Sequence, residues 1–239
     1  TVIDLDADGA EEIVVSSSQC FAVVAPARGA CVEVLLNLAS GHNLADTMTR
    51  HEEAYHPAAA SLDGAVVADP THDTTTGTAS IHDLETTLDF RPPLDDTRRA
   101  LLVDRFVAPE CTREDFVAGT VPVVRDLAHT ALSATVHHQG GMLTIDGEGA
   151  GFRKQIRFDD TGRVTVTWEW NAPDAALHID VWVTTELSLA VPIDIQAPGA
   201  ERWDYAIETV AKSERGFDRT VQGEAVVLAV DDALCPSEV

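Results

Sequence analysis

Short runs of alternating apolar and polar residues, separated by turn residues, recur along most of this chain. Residues 143–171 read LTIDGEGAGFRKQIRFDDTGRVTVTWEWN, which is three such runs joined by the turns GEGAG and DDTG. Glycine and aspartate tolerate the backbone conformations of tight turns, and alternation puts successive side chains on opposite faces of a strand. Further strands are predicted at EEIVVSSS, CFAVVAP, CVEVLLNLA, HIDVWVTTELSLAV, WDYAIETVAKSE and EAVVLAV. The pattern predicts an all-β protein, a large antiparallel β-sandwich.

Predicted helix is scarce, and no linker divides the chain. Residues 43–56 and 100–107 have a helical look, and residues 58–78, rich in Ala, Asp and Thr, read as a long connection. Hydrophobic residues make up 45% of the 239 residues, which is enough to bury one sizeable core. We therefore expect residues 1–239 to form a single domain.

The charge balance limits the partners of this protein. The formal net charge is −24, and only two of the 16 basic residues are lysines, Lys154 and Lys212. So acidic a surface repels nucleic acid and anionic membranes but accepts neutral ligands such as sugars. No apolar run approaches the roughly 20 residues of a membrane helix. We expect no nucleic-acid or membrane partner, and the composition also suits solubility at high salt, where self-repulsion is screened.

The cysteines indicate a reducing compartment. The four cysteines form no CxxC pair; they are Cys20, Cys31, Cys111 and Cys235. The first residues are acidic, and no basic start followed by an apolar block indicates a signal peptide. A reduced, cytoplasmic protein is the simpler interpretation.

The opening stretch DLDADGAEE carries acidic residues at alternate positions. Carboxylates of Asp4, Asp6, Asp8 and Glu12, with the tight bend at Gly9, have the spacing of a Ca²⁺ loop. The twelfth loop position lacks the glutamate of an EF-hand, and a strand follows where an EF-hand has a helix. The alternative is an acidic hairpin, in which VIDLD and EEIVV pair across an Asp-Gly turn. Both interpretations stay open, and they are compatible.

A second segment, NLADTMTRHEEAYH at residues 43–56, concentrates polar and aromatic side chains. Arg50, Glu53, Tyr55 and His56 fall within seven positions. Histidine and glutamate together can act as acid and base or as metal ligands, but no HExxH spacing is present. These four residues are candidates for carbohydrate binding or for a domain interface. The alternative is a structural role, with Arg50 paired to a carboxylate and Tyr55 half-buried.

The aromatic residues give a third candidate. Trp168 and Trp170 lie on the same face of one predicted strand. They are either core residues or, if exposed, a flat platform on which a sugar ring stacks. A His-Asp pair at residues 82–83 has no recognisable nucleophile in its context, and no GxSxG motif occurs.

Several segments, taken in order, resemble one family. They are DLDADGAEEIVV, NLADTMTRHEEAYH, SIHD, RRALLVDRF and ETVAKSERGFDRTVQG. Together they resemble the C-terminal domain of the α-amylases and 4-α-glucanotransferases of glycoside hydrolase family 57, from about Asp4 to about Leu228. The resemblance implies a sandwich similar to galactose mutarotase and a longer parent enzyme that acts on α-1,4-glucans.

In that family the catalytic carboxylates lie in an N-terminal (β/α) barrel. Nothing in this chain matches the alternating strands and helices of such a barrel, so no catalytic residue is carried over. The resemblance therefore implies a non-catalytic domain that packs on the catalytic barrel of its parent chain and contacts an α-glucan oligosaccharide. We expect the isolated domain to be inactive.

Two rival interpretations belong to other classes. The chain could be an independent sugar epimerase, which requires a His and a carboxylate converging in a groove of the sandwich. It could also be a stand-alone carbohydrate-binding module, which requires coplanar exposed aromatic rings. Aromatic residues make up only 5% of the chain, which argues mildly against the module.

Overall fold

Antiparallel β-sheets make up nearly all of the regular structure. A computed structural model of the chain describes residues 1–53, 93–170, 181–213 and 216–231. Within these residues the strands form three antiparallel sheets of five, four and five strands. None of the helices in these ranges has the length and apolar character needed to cross a bilayer. The all-β prediction is confirmed.

The first sheet is a meander in chain order. Its strands are β1 Val2–Ile3, β2 Glu12–Ser16, β3 Cys20–Ala25, β4 Cys31–Asn37 and β5 His42–Asn43. A 3-10 turn at Pro26–Arg28 joins β3 to β4 and ends at Gly29, whose φ is +64°. A Cβ at Gly29 would lie 2.4 Å from the carbonyl oxygen of Leu127, so the predicted PARGA turn requires glycine there.

The other two sheets contain the remaining strands. The five-stranded sheet has β6 Val103–Val107, β7 Val123–Asp126, β12 Trp182–Leu189, β13 Glu201–Ser213 and β14 Gly216–Asp231, in the order β13-β14-β12-β6-β7. The four-stranded sheet has β8 Ser133–Gln139, β9 Met142–Gly149, β10 Phe152–Phe158 and β11 Val164–Trp170, in the order β11-β10-β9-β8. The strand β11 is therefore an edge strand.

One core cluster draws residues from all three sheets. Fully buried members include Val24 of the first sheet, Ile145 and Phe152 of the four-stranded sheet, and Phe106 of the five-stranded sheet. Phe106 and Phe152 meet edge-to-face with ring centroids 6.2 Å apart. The three sheets thus enclose a shared interior, as expected for a sandwich.

A wholly buried lysine also joins the sheets. The Nζ atom of Lys154 on β10 donates to the carbonyl oxygen of Gly29 at 3.2 Å, to that of Leu102 at 2.6 Å, and to Asp104 Oδ2 at 2.7 Å. Both charged side chains are fully buried. A buried charge is tolerated only when paired and hydrogen-bonded, and here all three ammonium protons have acceptors.

The helical predictions are wrong within the described residues. Residues 43–53 contain no helix, and the ALLVDRFV segment contains β6, which pairs on both sides with β12 and β7. All five residues of β6 are buried, so the segment lacks the alternation that marks a half-buried strand.

The one α-helix among the described residues is α1, Arg113–Ala118, which the sequence analysis missed. A capping box begins it: Thr112 accepts from the backbone of Asp115, and Asp115 accepts from the backbone of Thr112.

Candidate functional site

The opening loop closes on itself and brings three aspartates together. One carboxylate oxygen from each of Asp4, Asp6 and Asp8 lies within 4.8 Å of the others, and all three residues are exposed. Gly9, with φ +93°, donates its N–H to Asp4 Oδ2 at 3.2 Å. The backbone of Ala10 donates to Asp8 Oδ1 at 2.7 Å. Hard oxygens clustered in this way are the ligand type that Ca²⁺ takes.

Glu12 does not join this group. Its Oε2 atom accepts the N–H of Leu5 at 2.8 Å, and its side chain is buried. The pairing of β1 with β2 covers only Val2 and Ile3, so an eight-residue loop, residues 4–11, replaces the predicted tight Asp-Gly turn. The positively charged guanidinium of Arg98 lies next to the cluster, with its Nη1 atom 3.7 Å from Asp6 Oδ2.

Arg50 is paired to a carboxylate, as in the structural alternative. Its backbone N–H donates to Asp95 Oδ2 at 2.7 Å, and its Nη2 donates to Asp95 Oδ1 at 2.6 Å. Burial raises the pKa of Asp95, but the hydrogen bonds from Arg50 and the charge of Arg99 outweigh it and leave that pKa below its ordinary value. Glu53 is exposed, and Tyr55 and His56 lie outside the described residues.

Beyond Asp95, a polar network covers the outer face of the five-stranded sheet. Arg99 also donates to Asp95, through Nη2 at 2.7 Å, and its Nη1 reaches Glu186 Oε1 at 3.2 Å. Arg105 approaches the other oxygen of Glu186 at 3.4 Å, and the hydroxyl of Tyr205 donates to Oε1 at 2.6 Å. Burial, with the charge of Glu186, raises the pKa of Tyr205, so this hydroxyl stays a donor at neutral pH.

Glu186, the centre of this network, was not predicted from the sequence. Alternation along β12 gave a weak signal, because Thr184, Glu186 and Ser188 are polar residues at every second position of a buried strand. The motif RRALLVDRF contains both arginines that contact Glu186. A small cavity of about 80 Å³ lies beside these groups. Donors engage both carboxylate oxygens of Glu186, so this side chain ties neighbouring strands together.

A larger groove lies beside the edge strand β11. It measures about 930 Å³, and its walls include Trp168 and Trp170 together with the apolar residues Ile193 and Ile195. The indole Nε1 of Trp168 donates to Asp104 Oδ1 at 3.1 Å. The two tryptophans are half-buried, so they pack on the core and also face the groove.

The other two tryptophans, Trp182 and Trp203, have a structural role in the protein core. Trp182 and Trp203 stack on each other with ring centroids 5.8 Å apart and an interplanar angle of 15°. They lie in the cluster under α1, where Phe116 contacts Trp203. Each ring therefore has an aromatic packing partner within the protein, and no ligand is needed to explain its position.

Comparisons with known proteins agree on one family. The family model described as alpha-amylase/4-alpha-glucanotransferase, C-terminal, matches residues 4–199 and 180–234. The chain is 26% identical to a 4-alpha-glucanotransferase of Thermococcus kodakarensis, over 93% of this chain and 37% of that protein. It is 23% identical to an alpha-amylase of Pyrococcus furiosus, over 95% of this chain and 37% of that protein.

A solved structure shares the fold. The 4-alpha-glucanotransferase of Thermococcus litoralis superposes with a TM-score of 0.66 at 18% identity, covering 97% of this chain and 37% of that one. The chain thus spans little more than a third of the length of the relatives it matches. The resemblance found in the sequence motifs is confirmed, and the chain belongs to the alpha-amylase/4-alpha-glucanotransferase C-terminal family.

Proposed function

We propose that the chain is a non-catalytic domain of a glycoside hydrolase family 57 enzyme that hydrolyses or transfers α-1,4-glucans. One observation carries the proposal: the C-terminal family model matches most of the chain, while the chain covers only 37% of its relatives. The remaining length of such relatives is ample for a catalytic domain. In this role the chain supports the catalytic domain and walls one side of the glucan cleft.

The proposed contact with the catalytic domain is the surface that carries Arg50 and the residues after it. The Arg50–Asp95 pair fixes the backbone of this segment, and the next residues, His51, Glu52 and Glu53, are exposed. A segment whose backbone is already fixed suits an interface because little backbone freedom is lost on docking. From the sequence alone, we propose that Tyr55 and His56 take part in the same contact.

Two expectations accompany this role. We propose that the loop of Asp4, Asp6 and Asp8 holds Ca²⁺, which the convergence of their carboxylates supports. We also propose a cytoplasmic location. In its support, Cys20, Cys31 and Cys111 are free thiols buried in the core.

No observation favours the epimerase alternative. An epimerase needs a histidine and a carboxylate facing one another in a cleft. Among the described residues no histidine lines the small cavity or the groove, and Glu186 is engaged by Arg99, Arg105 and Tyr205.

Recombination with the catalytic region of the parent enzyme tests the proposal. We expect that region alone to lose activity on maltoheptaose, and the separately purified chain to bind it and restore activity. Glu53→Lys should weaken this binding, whereas Asp160→Lys, which changes an exposed acid of the β10–β11 turn by the same charge, should not. Full activity of the catalytic region alone, with no binding of the chain, would refute the proposed role.

A further inference from the structure

The groove beside β11 is large enough for a small-molecule ligand. Its volume of about 930 Å³ lies at the upper end of the roughly 300–1,000 Å³ of small-molecule sites. Since β11 is the edge of the four-stranded sheet, no further strand covers the β11 side of the groove in the described part of the chain. Residues 193–198 and Ala200 form another part of its wall, together with buried core residues such as Leu101 and Leu187.

Two aromatic rings line the groove in fixed orientations. Trp168 and Trp170 are alternate residues of β11, so they share one face and lie about 7 Å apart along the strand. The indole of Trp168 is anchored by its 3.1 Å hydrogen bond to Asp104, which is itself held by buried Lys154. Trp170 meets Phe106 edge-to-face at 6.5 Å. Rings fixed before binding lose little conformational entropy when a ligand stacks on them.

Polar side chains border the apolar interior on both sides. On β11 the exposed Thr165 and Thr167 alternate with the groove-facing residues, and exposed Asp194 and Gln196 alternate with Ile193 and Ile195 on the other wall; all of these line the groove. A ligand that fits has apolar faces and hydrogen-bonding edges. Pyranose rings have this character, because their C–H bonds form flat faces and their hydroxyls lie at the edge.

The charge of the protein disfavours anionic ligands. At a net charge of −24, an anionic lipid or phosphorylated ligand would be repelled, whereas a neutral glycan would not. We propose that the groove is a glucan-binding site in which an α-1,4-linked oligosaccharide stacks on Trp168 and Trp170. The identification of the glycan as an α-glucan rests on the proposed function, while the groove itself does not.

Titration of the 239-residue chain with maltoheptaose, followed by tryptophan fluorescence and calorimetry, tests the proposal. We expect saturable binding, and we expect Trp170→Ala and Trp168→Phe each to raise Kd at least tenfold. The matched control is Trp203→Phe, because Trp203 stacks on Trp182 in the separate cluster under α1. This control should change Kd by less than twofold.

If a tryptophan variant fails to fold, substitutions of the polar residues at the rim of the groove test the proposal instead. Thr167→Ala and Gln196→Ala alter exposed side chains that border the groove, and we expect each to raise Kd severalfold. Absence of binding at millimolar maltoheptaose would overturn the proposal, as would binding that neither rim variant weakens. Binding of an apolar dye that maltoheptaose does not displace would also overturn it and assign the groove to an apolar ligand. These outcomes are independent of the recombination assay, so the groove can fail while the domain's role stands.

Discussion

At the residue scale, Lys154 and Asp104 form a fully buried ion pair in the core. It connects β10 to β6 with both side chains removed from water. Burial raises the pKa of Asp104, while the charge and hydrogen bond of Lys154 act in the opposite direction. Breaking one side of such a pair is costly because it leaves the other charge buried and uncompensated.

We therefore expect Lys154→Met to lower the free energy of unfolding at pH 7 by about 3–5 kcal/mol. The double variant Lys154→Met with Asp104→Asn should lose markedly less than the sum of the two single variants, since neither charge then remains buried. Urea denaturation of the four proteins measures this coupling. Additive losses would show that the two charges do not stabilise each other.

The same variant has a pH dependence of defined sign. Without Lys154, the pKa of Asp104 in the native protein rises further above its ordinary 3.8, so the folded state favours the protonated acid. The stability of Lys154→Met should then fall as pH rises from 4 towards 7, and acidification should recover part of the loss relative to wild type. Urea midpoints at pH 4.5 and pH 7 check this, and an equal deficit at both values would contradict it.

At the scale of single elements, the acidic loop between β1 and β2 gives a testable prediction about cation binding. Three exposed carboxylates within 4.8 Å of one another repel, and Arg98, whose Nη1 lies 3.7 Å from Asp6 Oδ2, offsets part of this repulsion. A cation bound there would stabilise the folded chain by mass action.

We expect millimolar Ca²⁺ to raise the melting temperature, and Asp6→Ala to remove the rise. Glu11→Ala is the matched control, because Glu11 is an exposed acid of the same loop that is not a member of the cluster. A melting curve indifferent to Ca²⁺ and to a chelator would leave the loop as an acidic turn without a metal.

The elements also show what could be read from the sequence. Strands β2, β3, β4, β10 and β11 follow the predicted segments closely because each is bounded by turn residues, and β10 and β11 also alternate between more buried and exposed positions. The helical interpretation of ALLVDRFV failed because β6 is buried on both faces and has no period-two pattern. Residues 43–53 were misread because Asn43 bonds to nearby backbone amides instead of entering a helix.

The candidate site could be predicted from the sequence less completely than the fold. The Asp4, Asp6 and Asp8 spacing identified a cluster that the structure brings together, but the same spacing wrongly suggested that Glu12 converges with them. The partner of Arg50 is 45 residues away in the chain, and that of Lys154 is 50 residues away. Pairings at such separations are set by tertiary packing, which local pattern does not specify.

At the scale of the whole molecule, the features separate into distinct regions. The outer face of the five-stranded sheet carries the network of Arg50, Arg99, Arg105 and Glu186, which contributes rigidity. The edge strand β11 borders the groove, and the first sheet begins with the acidic loop. These regions suit the proposed role of a supporting domain.

The most direct test of this account is to incubate the purified 239-residue chain with maltoheptaose and separate the products by chromatography. The account predicts that maltoheptaose stays intact, with neither shorter nor longer maltooligosaccharides, even where the same sample binds the sugar. Turnover that persists through purification and is abolished by Glu186→Gln, or by another single substitution within this chain, would contradict it.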